Sequence, residues 1–145
     1  MAVADFDGDG RLDLAINNSN REPTLYFNEL AKDANWIALK LVGRGSNRSA
    51  IGAQVRVRLG DKTLTRQVEA GSGYSAQAML PVHFGLGQHN TIDEVTIRWP
   101  SGHVQQFDGD RWVSDFGLNR LIRITEDTPW TAVGTPASTQ AGQLQ

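Results

Sequence analysis

Four aspartates crowd the start of the sequence, in Asp5-Phe6-Asp7-Gly8-Asp9-Gly10-Arg11-Leu12-Asp13. Counted from Asp5, they fall at positions 1, 3, 5 and 9 of a loop, with Gly10 at position 6. Carboxylates this close repel one another unless a cation neutralises them, and alternate residues of a tight turn can aim their oxygens at one centre. Glycine permits the sharp bend that such a turn needs. Hard oxygen donors with no His or Cys beside them favour calcium over a transition metal. The expected calcium ligands are therefore Asp5, Asp7, Asp9 and Asp13, with the backbone carbonyl of Arg11 as the fifth; a solvated acidic turn is the competing reading.

An EF-hand loop opens in the same way but closes with a bidentate Glu at position 12. That place is held by Ile16. Leu12, Leu14 and Ile16 alternate with Asp13, Ala15 and Asn17, which is the period of a strand. The loop is predicted to join two strands.

A second group of charges lies downstream. Residues 40–66 hold Lys40, Arg44, Arg48, Arg56, Arg58, Lys62 and Arg66 against Asp61 alone, whereas the stretches before and after are both acidic. The net charge of -2 conceals this division. Arg56 and Arg58 are expected on the outward face of one strand, with Lys62 and Arg66 from its hairpin partner. Such a ridge would attract sulfated glycans, phosphate or nucleic acid. Nucleic acid is disfavoured, because no aromatic residue lies between Leu39 and Val68 to stack on bases. A solvated strand face that guards a sheet edge is the competing reading, and the acidic head is an internal partner for it.

Other chemistry finds little support. The chain has no cysteine, which excludes a disulfide scaffold, a thiolate nucleophile and a thiolate zinc site. His83, His89 and His103 have no local metal-ligand spacing. His83 lies between Val82 and Phe84 and reads as a hydrogen-bonded structural residue. There is no Gly-x-Ser-x-Gly elbow. A triad of Ser72 or Ser75 with His83 and Asp93 carries no weight without geometry. Gly71-Ser72-Gly73-Tyr74 is followed by no helical pattern to present to a phosphate, so it is expected as a bulge or strand corner. The chain is expected not to be an enzyme.

The elements that must position these residues follow period two. Strands are predicted over 36–42, 54–59, 62–69, 82–86, 94–99, 103–107 and 120–125, with Ile37, Leu39, Leu41, Val55, Val57, Leu59, Leu64 and Val68 facing the core. Gly60-Asp61 makes a two-residue hairpin, and Trp99-Pro100-Ser101-Gly102 makes a turn. Helical periodicity is confined to one short turn over 28–34. Asp108-Gly109-Asp110 echoes the acidic loop, but Trp112 stands where a third acid belongs. The 145 residues, 39% hydrophobic and 21% charged, suffice for one core. The fold class is all-β: a small antiparallel sandwich or barrel over 35–126, preceded by a separate acidic unit over 1–30. From 127 to 145 the sequence turns to Thr, Pro, Ala, Gly, Ser and Gln, and is expected as a loose tail or linker, from which Trp130 either docks back on the sheet or does not. No apolar run is long enough to cross a bilayer.

The acidic loop resembles the calcium loop of FG-GAP/VCBS repeats, the blades of integrin-like β-propellers. The family pattern Asp-x-Asp-x-Asp-Gly-x-x-Asp is matched by Asp5, Asp7, Asp9, Gly10 and Asp13, and 14–18 and 25–28 resemble the strands that follow. A propeller needs several such blades. Only one loop is present, so the sequence is expected to begin inside the last blade of a longer protein. Further on, Asn47-Arg48-Ser49-Ala50-Ile51-Gly52-Ala53, Gly71-Ser72-Gly73-Tyr74, His83-Phe84-Gly85-Leu86-Gly87 and Val95-Thr96-Ile97-Arg98-Trp99-Pro100-Ser101-Gly102 resemble, in order, the ASPIC/UnbV domain. That domain typically follows FG-GAP/VCBS repeats in bacterial secreted proteins and in the cartilage acidic protein group.

The resemblance implies an extracellular or periplasmic setting, although Met-Ala-Val-Ala-Asp is not a secretory signal. It implies calcium as cofactor, the parent propeller as one partner, and a glycan or protein as another in adhesion or matrix binding. The alternatives are an accessory domain of a biosynthetic or degradative enzyme assembly, and a polyanion-binding role for the basic hairpin.

Overall fold

The computed structural model describes residues 1–30, 33–71, 81–126 and 133–134. Three short strands, β1 (Ala2–Ala4), β2 (Asp13–Ile16) and β3 (Thr24–Tyr26), form an antiparallel meander. The remainder supplies β4 (Asn35–Val42), β5 (Gln54–Leu59), β6 (Lys62–Gln67), β7 (Val82–Gly87), β8 (Glu94–Arg98), β9 (Val104–Asp108), α1 (Gly109–Asp115), β10 (Arg120–Thr125) and β11 (Val133–Gly134). These make two four-stranded sheets, in the orders β11-β10-β4-β7 and β6-β5-β8-β9. The acidic loop therefore joins strands, as its flanks predict.

Alternation decides which face each strand buries. Val55, Val57 and Leu59 of β5 are buried while Arg56 and Arg58 are exposed. Ile37, Leu39, Phe84 and Ile122 of one sheet and Val55, Val57, Val95 and Ile97 of the other belong to a single apolar cluster. The two sheets thus form a sandwich, and because among the described residues each keeps two edges it is not a closed barrel. Gly60 takes a φ of +58° in the hairpin that pairs Leu59 with Lys62. At the predicted 99–102 turn the Gly102 amide donates to the Trp99 carbonyl at 2.9 Å.

Three features depart from the expectation. First, β4 and β10 run parallel, pairing Arg120 with Ile37 through Thr125 with Val42. A parallel pair needs a long crossover, and its register leaves no hairpin signal in the sequence. Second, residues 28–30 and 33–34 are not helical; among the described residues the helix is α1. Asp108 caps it by accepting from the Asp110 amide at 3.3 Å, and Trp112 and Phe116 pack from it into the core. The Asp108-Gly109-Asp110 echo is thus a helix start, and the position that lacks an acid holds a core aromatic. Third, Val133–Gly134 pairs with β10 instead of lying wholly in a loose tail. The other residues from 127 to 145, Trp130 among them, lie outside the described residues, as do Ser72, Gly73 and Tyr74.

Candidate metal centre

The β1–β2 ladder pairs Ala4 with Asp13, which fixes the two ends of the loop 5–12. Within it the carboxylates organise the backbone. Asp5 Oδ1 accepts from the amides of Gly8 (2.7 Å) and Asp9 (3.0 Å), and its Oδ2 accepts from Gly10 (2.9 Å). Asp13 is buried and bridges two elements, accepting from the Phe6 amide at 2.8 Å and the Asn28 amide at 2.9 Å. Gly8 and Gly10 take φ values of +78° and +89°, a region that side chains other than glycine rarely adopt. One oxygen each from Asp5, Asp7 and Asp13 then lies within 4.8 Å of the others. Oxygens bound to one calcium ion at about 2.3–2.6 Å stand up to about 5 Å apart across it, a limit that the spacing of these three does not exceed.

Asp9 points elsewhere. Its Oδ1 accepts from the Arg11 amide at 2.9 Å, and its other oxygen meets the Arg11 guanidinium. That guanidinium also donates to the Leu30 carbonyl. Three of the four predicted carboxylates converge, while the fourth is paired with the side chain of Arg11, for which sequence reading assigned a role only to the backbone.

The loop is not free-standing. Gly10 is buried against the outer face of the β4–β7 pair, and a Cβ there would lie 1.8 Å from Nε1 of Trp36. The Gly10 carbonyl accepts a hydrogen bond from Nε2 of His83 at 2.9 Å. A carbonyl only accepts, so Nε2 carries the proton. The imidazole stacks on the Trp36 indole, with centroids 5.4 Å apart and planes 14° from parallel. Trp36 is in turn pinned by Asn119, whose side chain accepts from the Trp36 amide and whose amide donates to the Trp36 carbonyl. Burial lowers the pKa of His83 below its ordinary value; the Gly10 carbonyl and Asp5 raise it, and Arg66 lowers it further. His83 is the structural histidine that its strand position predicts. The part played by Trp36 was not foreseen.

Two family models match different stretches of the chain. The FG-GAP repeat model matches residues 1–22, and the ASPIC and UnbV model matches residues 43–128, more than half of the chain. The chain belongs to the ASPIC and UnbV family. It is also similar to cartilage acidic protein 1 of Homo sapiens, 30% identical over 97% of the chain, and to that of Xenopus tropicalis, 29% identical over 98%. The chain spans about a fifth of the length of these vertebrate relatives.

Inside the ASPIC/UnbV segment, sequence reading missed a second polar centre. Glu126 is fully buried, and its Oε2 accepts from the consecutive amides of Arg44 (2.7 Å), Gly45 (2.9 Å) and Ser46 (3.1 Å) and from the Ser46 hydroxyl (3.0 Å). Oε1 takes the Ser101 hydroxyl. Burial raises its pKa, but these donors outweigh burial and hold it at about 2, against an ordinary 4.5. One carboxylate thus ties the end of β10 to the 44–46 and 99–102 turns. The neighbouring 47–53 segment is a tight crossover, with Gly52 donating to the Val68 carbonyl at 2.8 Å.

The register of the β5–β6 hairpin divides the predicted basic ridge. Arg56 faces Thr65 and Arg58 faces Thr63 across the ladder, whereas Lys62 is paired with the buried Leu59 and Arg66 with the buried Val55. Because partners in a ladder share a face, Lys62 and Arg66 lie on the side opposite Arg56 and Arg58. The four cations are not one surface. Arg58 lies 3.9 Å from both Asp93 and Glu94, and the Arg66 guanidinium lies 6.0 Å from the centre of the Phe84 ring.

Proposed function

We propose that the chain is a non-catalytic, calcium-stabilised extracellular module: the end of an integrin-like propeller blade joined to an ASPIC/UnbV β-domain, serving in adhesion through a glycan or protein ligand. The observation that carries the metal reading is the approach of Asp5, Asp7 and Asp13 within 4.8 Å on a loop already ordered by its own amides. These three residues would hold the ion, with Asp9 joining them on release from Arg11. Bound calcium would supply the positive charge that offsets their repulsion and would stabilise the folded chain by mass action.

The adhesion reading is supported by the FG-GAP match and the family. Sheet β1–β3 exposes Val3, Leu25 and Tyr26, with Phe6, Phe27 and Leu30 beside them, and the remaining blades of a parent propeller are the natural cover. For the ligand, Arg56 and Arg58 on one face and Lys62 and Arg66 on the other are separate candidate contacts. A role as part of an enzyme assembly gains nothing from His83, which is engaged by Gly10 and Trp36.

The test is thermal unfolding of the chain in calcium chloride, magnesium chloride and chelator. At about a hundred times its dissociation constant, calcium adds about 2.7 kcal/mol, which raises Tm by about 5–10 °C for a chain of this size. Superimposable curves in calcium and chelator would remove the structural role of the ion.

A further inference from the structure

The calcium reading concerns the loop alone, but the loop's central residue is gripped by the other half of the molecule. Gly10 bonds to Asp5 through its amide and to His83 through its carbonyl, at 2.9 Å in each case. It also lies so close to Trp36 that no side chain fits. The residue whose amide bonds to Asp5 thus rests on a stacked Trp–His pair of the β-domain. The Trp36 backbone is held by Asn119 at both its amide and its carbonyl, the Asn119 side chain donates to Asn35 at 2.8 Å, and the indole is stacked on His83.

We propose that Trp36 and His83 are positioning residues for the cation site: the β-domain orders the acidic loop through Gly10, so that loading of the cation and docking of the blade onto the β-domain form one coupled equilibrium. The statement about the cation rests on the calcium reading above; the statement that the joint orders the loop does not. Coupling is reciprocal by linkage. What the joint contributes to cation affinity, the cation returns as tighter docking of the two halves. Groups that orient metal ligands from outside the coordination shell typically change affinity about ten- to a hundredfold when removed.

The experiment uses the full chain, with calcium chloride as the only added metal. Calorimetric titration gives the dissociation constant, and amide hydrogen exchange with and without calcium gives the order of residues 8–11. Trp36→Ala and His83→Ala are expected to lose amide protection in the loop without calcium and to weaken calcium about ten- to a hundredfold. His83→Gln, which keeps an N–H donor, is expected to recover part of both. Unchanged protection on β5 and β8 shows that the sandwich is intact. Should the β-domain variants fail to fold, Gly10→Ala drives a methyl into the indole and disturbs the joint from the loop side. Loop protection equal to wild type in the folded variants would overturn the proposal. Lost protection with an unchanged dissociation constant would overturn the coupling to the cation. A wild-type chain that binds no calcium overturns the function proposed above, and the cation-free exchange then decides the ordering role by itself.

Discussion

Glu126 shows how much one buried carboxylate can hold together. It follows directly on β10, and its partners Arg44, Gly45 and Ser46 are 80 or more positions away. Truncation to Ala would leave several donors buried without an acceptor, at a cost of about 2–4 kcal/mol. The pH dependence has a definite sign. The folded-state pKa is depressed to about 2 from 4.5, so the contribution is complete above about pH 4.5 and is lost as the pH falls toward 2. Urea unfolding from pH 7 to 2 should therefore show a steep acid loss in the wild type and a flatter one in Glu126→Gln, which starts from lower stability. Parallel curves would contradict the assignment. Nothing in the sequence marks Glu126, because a side chain that meets a distant turn leaves no periodic trace. The acidic loop was legible because its donors are local, yet the diversion of Asp9 to Arg11 was not: both are loop residues, and only geometry decides between a cation and a guanidinium.

Among the elements, α1 gives a counter-intuitive prediction. Alanine is the better helix former, but a Cβ at Gly109 would lie 1.6 Å from the Ile92 carbonyl oxygen. Gly109→Ala is expected to cost about 3 kcal/mol or more, and Asp108→Ala, which removes the cap, about 1 kcal/mol. Chemical denaturation that ranks them the other way would refute the close approach of α1 to the 92–93 turn. The strands were readable because Val55, Val57 and Leu59 alternate with exposed partners, and because Gly60-Asp61 closes a two-residue hairpin. The basic ridge failed on register. A two-residue hairpin pairs Leu59 with Lys62, and this places Lys62 and Arg66 on the inward-facing side. If the outer face holds an anionic glycan, Arg56→Ser weakens retention on heparin while Lys62→Ser does not; equal losses from both would argue against a face-specific site.

At the scale of the whole molecule, two units that sequence reading separates are joined by contacts it could not foresee. The hydrogen bond between Gly10 and His83 spans 73 positions, and the Trp36 indole lies against Gly10. The parallel pairing of β4 with β10 brings Asn119 beside Trp36, so the crossover that contains α1 also sets the joint. All-β class and family membership were accessible from patterns and motifs; the contact of the sandwich with the acidic loop was not. The central claim is that Asp5, Asp7 and Asp13 form a calcium site in this chain. Equilibrium dialysis against calcium tests it most directly: the account predicts one ion per chain, lost in Asp5→Asn and Asp13→Asn, and no bound calcium in the wild type would contradict it.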